Sequence, residues 1–244
     1  MTSKPDPPTQ ASMAKALNVS QQVIRRQRSW PLYKPLRKDR WRKFIITDES
    51  WIYLSDTNAK SEVQYLIRDQ NRRDLTPSTT VPHSKGLMVW MGISANGVFK
   101  PRFVQPGAKI NSEYYIQKIL KPFLKDDYCR LYPNGDAVFH QDSAPSHASR
   151  ITQKFLTYQQ VQFLRSRQWL PNSPDSASCD YFLWGRLKNK LNKRRVSTLR
   201  GLQMAIREEA KKIPQEMILR ELKSCPKLCR QIYYAEGRHS EKLR

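Results

Sequence analysis

The sequence predicts an α/β domain, a mixed sheet flanked by helices, preceded by a short helical segment. Three observations predict it. Apolar strand-like runs at 44–54 and 87–94 come first. Stretches with a 3.6-residue apolar period then alternate with short strands, up to about residue 192. Carboxylates stand within or just past the strands, where α/β folds place chemistry.

At 244 residues the chain is long enough for one well-filled core and an appendage. Its net charge of +23 is unevenly distributed. Residues 1–43 carry 11 basic and 2 acidic side chains, and residues 185–244 carry 17 and 6. The span 44–184 is nearly balanced, with 16 and 13. Cationic flanks around a neutral core point to a polyanion, most simply double-stranded DNA. No apolar run approaches the ~18–20 residues needed to cross a bilayer, and the N-terminus lacks the apolar region of a secretion signal. No membrane partner is expected. Cys129, Cys179, Cys225 and Cys229 are too few and too scattered for a disulfide framework, so free thiols in a reducing compartment are expected. For a DNA-directed protein of a eukaryotic host that compartment is the nucleus, and the basic run Lys188–Arg195 could serve for import.

In chain order, residues 13–26 have the spacing of a helix-turn-helix, with Asn18-Val19 as the turn and Ser20 as the cap of the second helix. Val23 and Ile24 would pack inward, leaving Gln21, Gln22, Arg25 and Arg26 for DNA. Residues 30–43 (WPLYKPLRKDRWRK) read as a proline-broken basic linker. The strand at 44–54 places Ile46, Asp48, Ser50 and Ile52 on one face. An acid inside so apolar a strand needs a partner or a metal. Glu49 points the other way and is the weaker candidate. Residues 55–85 are polar, contain Arg68, Arg72 and Arg73, and are long for a plain connection. A hairpin through Asn96-Gly97 joins 87–94 to 99–104. A helix starts at Asn111-Ser112-Glu113 and runs to about Lys125, burying Tyr115, Ile119 and Leu120.

The run Ala137-Val138-Phe139 is a strand ending at Asp142. Ser146 then caps a helix from about His147 to Tyr158, and a short strand covers 161–164. Residues 169–180 are rich in proline and serine and not helical. Asp180, Trp184, Leu187 and Leu191 step by four, three and four along one helix face, so Asp180 enters the first turn facing the domain. Two basic amphipathic helices, split near Pro214, complete the chain. Lys193, Arg194 and Arg195 close the basic run and are further DNA candidates.

Strand, hairpin, helix, strand, helix, strand, helix is the order of an RNase H-like domain. There the first and fourth strands are neighbours and the last helix packs across them, which would bring Asp48, Asp142 and Asp180 together. Three converging carboxylates repel one another unless cations intervene. All-oxygen ligation suits Mg²⁺ or Mn²⁺, and a two-metal site of that kind drives phosphodiester displacement.

With these residues in place the sequence resembles the mariner superfamily of DDE/D transposases, closest to its maT-like branch. The resemblance is carried by 46–51 (ITDESW), 88–94 (MVWMGIS), 140–147 (HQDSAPSH), and 171–175 (PNSPD) leading to Asp180-Tyr181. The 37 residues between Asp142 and Asp180 match that branch. The resemblance implies an Asp48–Asp142–Asp180 metal triad holding Mg²⁺ or Mn²⁺. It also implies cleavage at transposon ends with strand transfer into a TA target, a homodimer on DNA, and no small-molecule cofactor. By position 55–86 corresponds to the clamp loop of the family. The implied division is a partial helix-turn-helix and linker at 1–43, a catalytic domain at 44–237 and a basic tail at 238–244. Two departures stand out. The family has two N-terminal helix-turn-helix units and this chain has part of one, as a truncated element would. Ser176-Ala177-Ser178 also replaces the usual Leu-Asn-Pro. The competing readings are a DNA-binding relic or host-recruited protein that no longer cuts, and a general RNase H-like nuclease.

Overall fold

A computed structural model describes residues 21–54, 85–164, 179–194 and 196–236. The first helix of the expected helix-turn-helix, most of the clamp-like stretch and Arg195 lie outside them. The strands are β1 (Phe44–Tyr53), β2 (Gly86–Ser94), β3 (Gly97–Val98), β4 (Arg102–Phe103), β5 (Val138–His140) and β6 (Gln162–Phe163). They form one mixed sheet in the order β3-β2-β1-β5-β6, with β4 also pairing with β2.

β1 and β2 are antiparallel over their whole length, from Ile45 opposite Ser94 to Tyr53 opposite Gly86. Nearly all of β2 and the first half of β1 are buried, so β2 reads as a nearly continuous apolar run. Leu87, Val89, Met91 and Ile93 of β2 enter one core, together with Phe44, Ile46 and Ile52 of β1. Trp90 and Ile45 enter the other. The period-two assignment of Ile46 and Ile52 to one face therefore holds. Gly92, opposite Thr47, permits a close approach. A Cβ there would stand 2.6 Å from the Ile46 carbonyl oxygen and 2.7 Å from Thr47 Cγ2.

The expected hairpin forms through Asn96, with Gly97 at φ +133°, a conformation glycine adopts cheaply. Its second arm is broken into β3 and β4, because Pro101 cannot donate to a ladder. β5 lies parallel to β1, with Ile46 opposite His140, and β6 lies parallel to β5.

One helical layer consists of α2 (residues 112–131), α3 (Pro145–Ala148) and α4 (Arg150–Tyr158). Asn111 caps α2, its Oδ1 accepting from Tyr114 N at 2.8 Å. The helix runs six residues beyond the expected end. It stays continuous across Pro122 with two wide, π-type stretches, Tyr115–Leu120 and Leu124–Tyr128. Tyr115, Ile119 and Leu120 are buried, as the periodicity requires. The single helix expected over 147–158 is two helices. Ser149, not Ser146, is the cap: it has extended backbone angles, and its Oγ accepts from Thr152 N at 3.1 Å.

On the opposite face lie α1 (Gln21–Leu36), α5 (residues 179–192), α6 (Leu199–Lys211) and α7 (Gln215–Tyr234). The break between α6 and α7 falls near Pro214, where the sequence places it. The expected linker is helical as far as Leu36, with Pro31 and Pro35 inside the helix. Each proline deletes one backbone donor. The carbonyls left over belong to residues 27 and 31, both at exposed positions where water serves them. Leu32 and Leu36 are buried in the core, and Trp30 meets Tyr233 of α7 with ring centroids 4.6 Å apart. Val23, expected inside, is a surface residue. Among the described cysteines, Cys225 and Cys229 are buried free thiols as expected, and Cys129 is exposed.

Candidate active site

The central feature is the end of the β1–β5 pair. Thr47 Oγ1 donates to the His140 carbonyl at 2.9 Å, a buried tie between the two strands. Asp48 follows Thr47, and Asp142 stands two residues past His140. Ile46 and His140 are in register, so Asp48 and Asp142 each stand two residues beyond a matched pair, Asp142 past the end of its strand.

Asp48 is half-buried, and its Oδ2 accepts a hydrogen bond from Trp184 Nε1 at 2.8 Å. Trp184, Leu187 and Leu191 are buried, so the helix face read from the sequence is the face that packs. Asp180 lies in the first turn of that helix, four residues before Trp184, in the wide-wound stretch Cys179–Trp184. Its side chain lies outside the described ones. The Trp184–Asp48 bond thus docks the helix that bears Asp180 onto the strand that bears Asp48.

Asp142 is held from the other side. Its Oδ1 accepts from Ala144 N at 3.0 Å and lies 2.5 Å from His147 Nδ1. The other ring nitrogen of His147 is 3.1 Å from Glu49 Oε1. Ligand atoms of Glu49, Asp142 and His147 all lie within 4.8 Å of one another. Glu49 does point away from Asp48, as alternation requires, and there it meets His147. Tyr115 of α2 backs the imidazole, ring centroids 4.1 Å apart, while its hydroxyl donates to Gln141 Oε1 at 2.8 Å. Gln141 Nε2 in turn donates to the His147 carbonyl at 3.2 Å.

Burial alone would lower the His147 pKa. The hydrogen bonds to Asp142 and Glu49, with their charges, outweigh it and raise the value to about 9. Burial would raise the Asp142 pKa, but the His147 hydrogen bond and charge, then the Ala144 N–H, hold it below the ordinary carboxylate range. Burial, then the charges of Glu49 and Asp142, push Tyr115 well above 10, so it remains a neutral donor. His140 is buried, which drives its pKa down to about 3 and keeps it uncharged.

Among the described side chains, Asp142 is grouped with Glu49 and His147. A protonated imidazole cannot ligate a metal, so in this arrangement His147 is a cationic bridge between two carboxylates. Sequence reasoning missed His147 and underrated Glu49. The only signal for either was a histidine five residues after Asp142, and pairing it with Glu49 required the fold.

Of the candidate DNA contacts, Arg26 and Arg194 are engaged within the chain. Arg26 lies over the Tyr233 ring at 5.3 Å and 3.7 Å from Glu236. Arg194 pairs with Glu208 at 2.8 Å and Glu209 at 3.1 Å. DNA contact by either means sharing those pairs. Lys193 is exposed. The side chains of Gln21, Gln22 and Arg25 lie outside the described ones.

This mixed sheet flanked by helices is an RNase H-like fold, the architecture of mariner transposase catalytic domains. The chain superposes on the catalytic domain of Mos1 mariner transposase with a TM-score of 0.67, at 18% identity over 89% of this chain and 94% of that one. On the Mos1 paired-end complex with Mn the TM-score is 0.71, at 20% identity over 96% of this chain and 75% of that one. In sequence it is similar to the Tc1 transposase of Caenorhabditis elegans, 25% identical over 208 residues, covering 82% of this chain and 70% of the relative. No protein-family model matches it.

Proposed function

We propose that the chain is a DNA transposase of the mariner superfamily, of the maT-like branch. It cleaves DNA at transposon ends and joins the freed strand to a TA target. The observation that carries this reading is the Trp184–Asp48 hydrogen bond. It seats the helix of Asp180 on β1, beside the strand that leads to Asp142. The similarity to Tc1 transposase, and a fold shared with a transposase solved on paired DNA ends with Mn and with Mg, support it.

In this reading Asp48, Asp142 and Asp180 hold Mg²⁺ or Mn²⁺ as a two-metal site. The bound ions supply Lewis-acid stabilisation to the attacking and leaving oxygens of a phosphodiester displacement. The chain's own residues set up the carboxylates. Trp184 fixes the Asp48 carboxylate through Oδ2. His147, steadied by Glu49 and by Tyr115 behind it, fixes that of Asp142 through Oδ1. Both contacts on Asp142 fall on a single oxygen, so its donor set fits a ligand role. In this reading residues 44–237 form the catalytic domain, 55–86 its clamp-like insertion, and 1–43 a partial helix-turn-helix and basic linker. The protein acts as a homodimer on double-stranded DNA in the nucleus.

The test uses supercoiled plasmid and a pre-cut transposon-end duplex. Nicking and strand joining are expected with Mg²⁺ or Mn²⁺ and absent in EDTA. Alanine at Asp48, Asp142 or Asp180 should abolish both. Full activity in any one of these variants removes that residue from the site, and metal-independent cutting refutes the mechanism.

A further inference from the structure

At the β3–β4 edge of the sheet, between α2 and α6, the structure holds a cleft of about 540 Å³. Its floor is apolar, including Val98, Pro101, Pro122 and Ala210, and its rim carries five cations and one carboxylate, Asp126. Two of the rim cations are already neutralised. Arg102 is bound to the fully buried Asp127 at 2.8 Å and to Asp126 at 3.6 Å, and Arg130 to Asp127 at 3.2 Å. Lys100, Arg207 and Lys211 remain, all exposed. Among the described residues, no carboxylate lies within ion-pair distance of these three.

The three are not merely scattered charge. The Arg207 guanidinium lies 4.7 Å over the Phe103 ring, a contact that restrains the head group at the cleft. Arg207 and Lys211 are one helical turn apart, about 6 Å along α6. Lys100 faces them from the loop between β3 and β4. A row of cations over an apolar floor suits a chain of phosphates joined by less polar sugars.

Position favours the same partner. Arg102 is opposite Trp90, and Trp90 is opposite Glu49, so the cleft edge is two strand spacings, about 10 Å, from the acidic centre. That is less than the ~12 Å width of a single major groove.

We propose that this edge cleft is a second DNA-binding surface, gripping the phosphodiester backbone of a duplex through Lys100, Arg207 and Lys211 beside the acidic centre. The proposal rests on the reading of the chain as a DNA-processing enzyme. It adds a place where DNA is held without being cut.

The experiment measures binding of a labelled random-sequence duplex to the full chain in EDTA, as a function of salt. Three proteins are compared with the parent: Lys100→Ala/Lys211→Ala, the same with Arg207→Gln, and a control, Lys223→Ala/Lys227→Ala, on the exposed face of α7. Thermal melts check folding, and the double variant leaves the Arg207–Phe103 contact intact. Each phosphate contact contributes about 0.9 to the log–log salt slope. The slope should therefore fall by about 2 in the double variant and nearly 3 in the triple, with affinity at least tenfold lower. The control should change less than threefold. If cleft and control variants weaken binding equally, the cleft is only part of a diffuse field and the proposal falls alone. The same holds if the cleft variants keep their duplex affinity but lose binding to a poly-glutamate peptide. A parent that binds no duplex at any salt removes the DNA reading itself, and this proposal with it.

Discussion

Trp184 Nε1 donates to Asp48 Oδ2 at 2.8 Å, across 136 residues of sequence. The bond joins a buried indole of α5 to the acid in the middle of β1, and it is a direct side-chain link between the two elements that carry Asp48 and Asp180. Trp184 has two roles that can be separated. Its ring packs in the core, and its N–H orients a carboxylate.

Trp184→Phe keeps most of the ring and removes the donor. The lost hydrogen bond to a charged, half-buried group costs about 1.5 kcal/mol and the space left by the larger indole adds to it, so stability should fall by more than that. Metal affinity should fall as well, because the Asp48 carboxylate is no longer held in one orientation. Denaturant midpoints and calorimetric Mn²⁺ titration read the two effects. If stability drops while metal affinity is unchanged, the indole N–H has no orienting role.

Asp180 can be separated from an ordinary acid at a helix start. Complementing the helix dipole needs only negative charge, and glutamate supplies it. A Mg²⁺ ligand needs its oxygens at one place, and glutamate overshoots by one methylene. Asp180→Glu should fold normally and lose most cleavage, with Mn²⁺ restoring more than Mg²⁺. Asp180→Asn should fold and be inactive with either ion. Parent-like cutting by Asp180→Asn on plasmid DNA would make Asp180 a cap, with Asp175 the next candidate.

In metal-free protein, His147 should make stability depend on pH. Its folded pKa is raised to about 9, against about 6.5 when unfolded. A raised folded pKa means the native state holds the proton more tightly. The contribution is fully present below pH 6.5 and is lost as pH rises through about 9. For a side chain only 4% exposed it is on the order of 3 kcal/mol. Denaturant midpoints in EDTA at pH 6, 8 and 10 are compared for the parent and His147→Gln. The gap between them should narrow steadily with pH. A gap constant across that range would mean His147 is not the proton-binding bridge between Glu49 and Asp142.

The architecture was legible wherever local physics and burial point the same way. Alternation in 44–53 assigned Ile46 and Ile52 to one core and turned Glu49 from Asp48, because side chains on a strand must alternate. The four-three-four step from Asp180 to Leu191 named the packed face of α5 before any contact was known. Where the sequence misled, a local signal was overruled by packing. Pro31 and Pro35 read as breaks, yet α1 stays helical because Leu32, Leu36 and Trp30 bury against α7 and the missing donors fall on the solvent side.

By itself the sequence determined most of the strands and helices and that the chain is a polycation with a balanced centre. These follow from periodicity, charge count and turn chemistry, which act over a few residues. Only the tertiary structure decided that Trp184 holds Asp48, that His147 bridges Glu49 and Asp142, and that Arg26 and Arg194 also make contacts within the chain. Each of the first two depends on side chains from separate elements meeting at hydrogen-bond range. Spacing along a chain cannot specify that, because the sheet order and the helix docking that bring them together are set by the burial of the whole core.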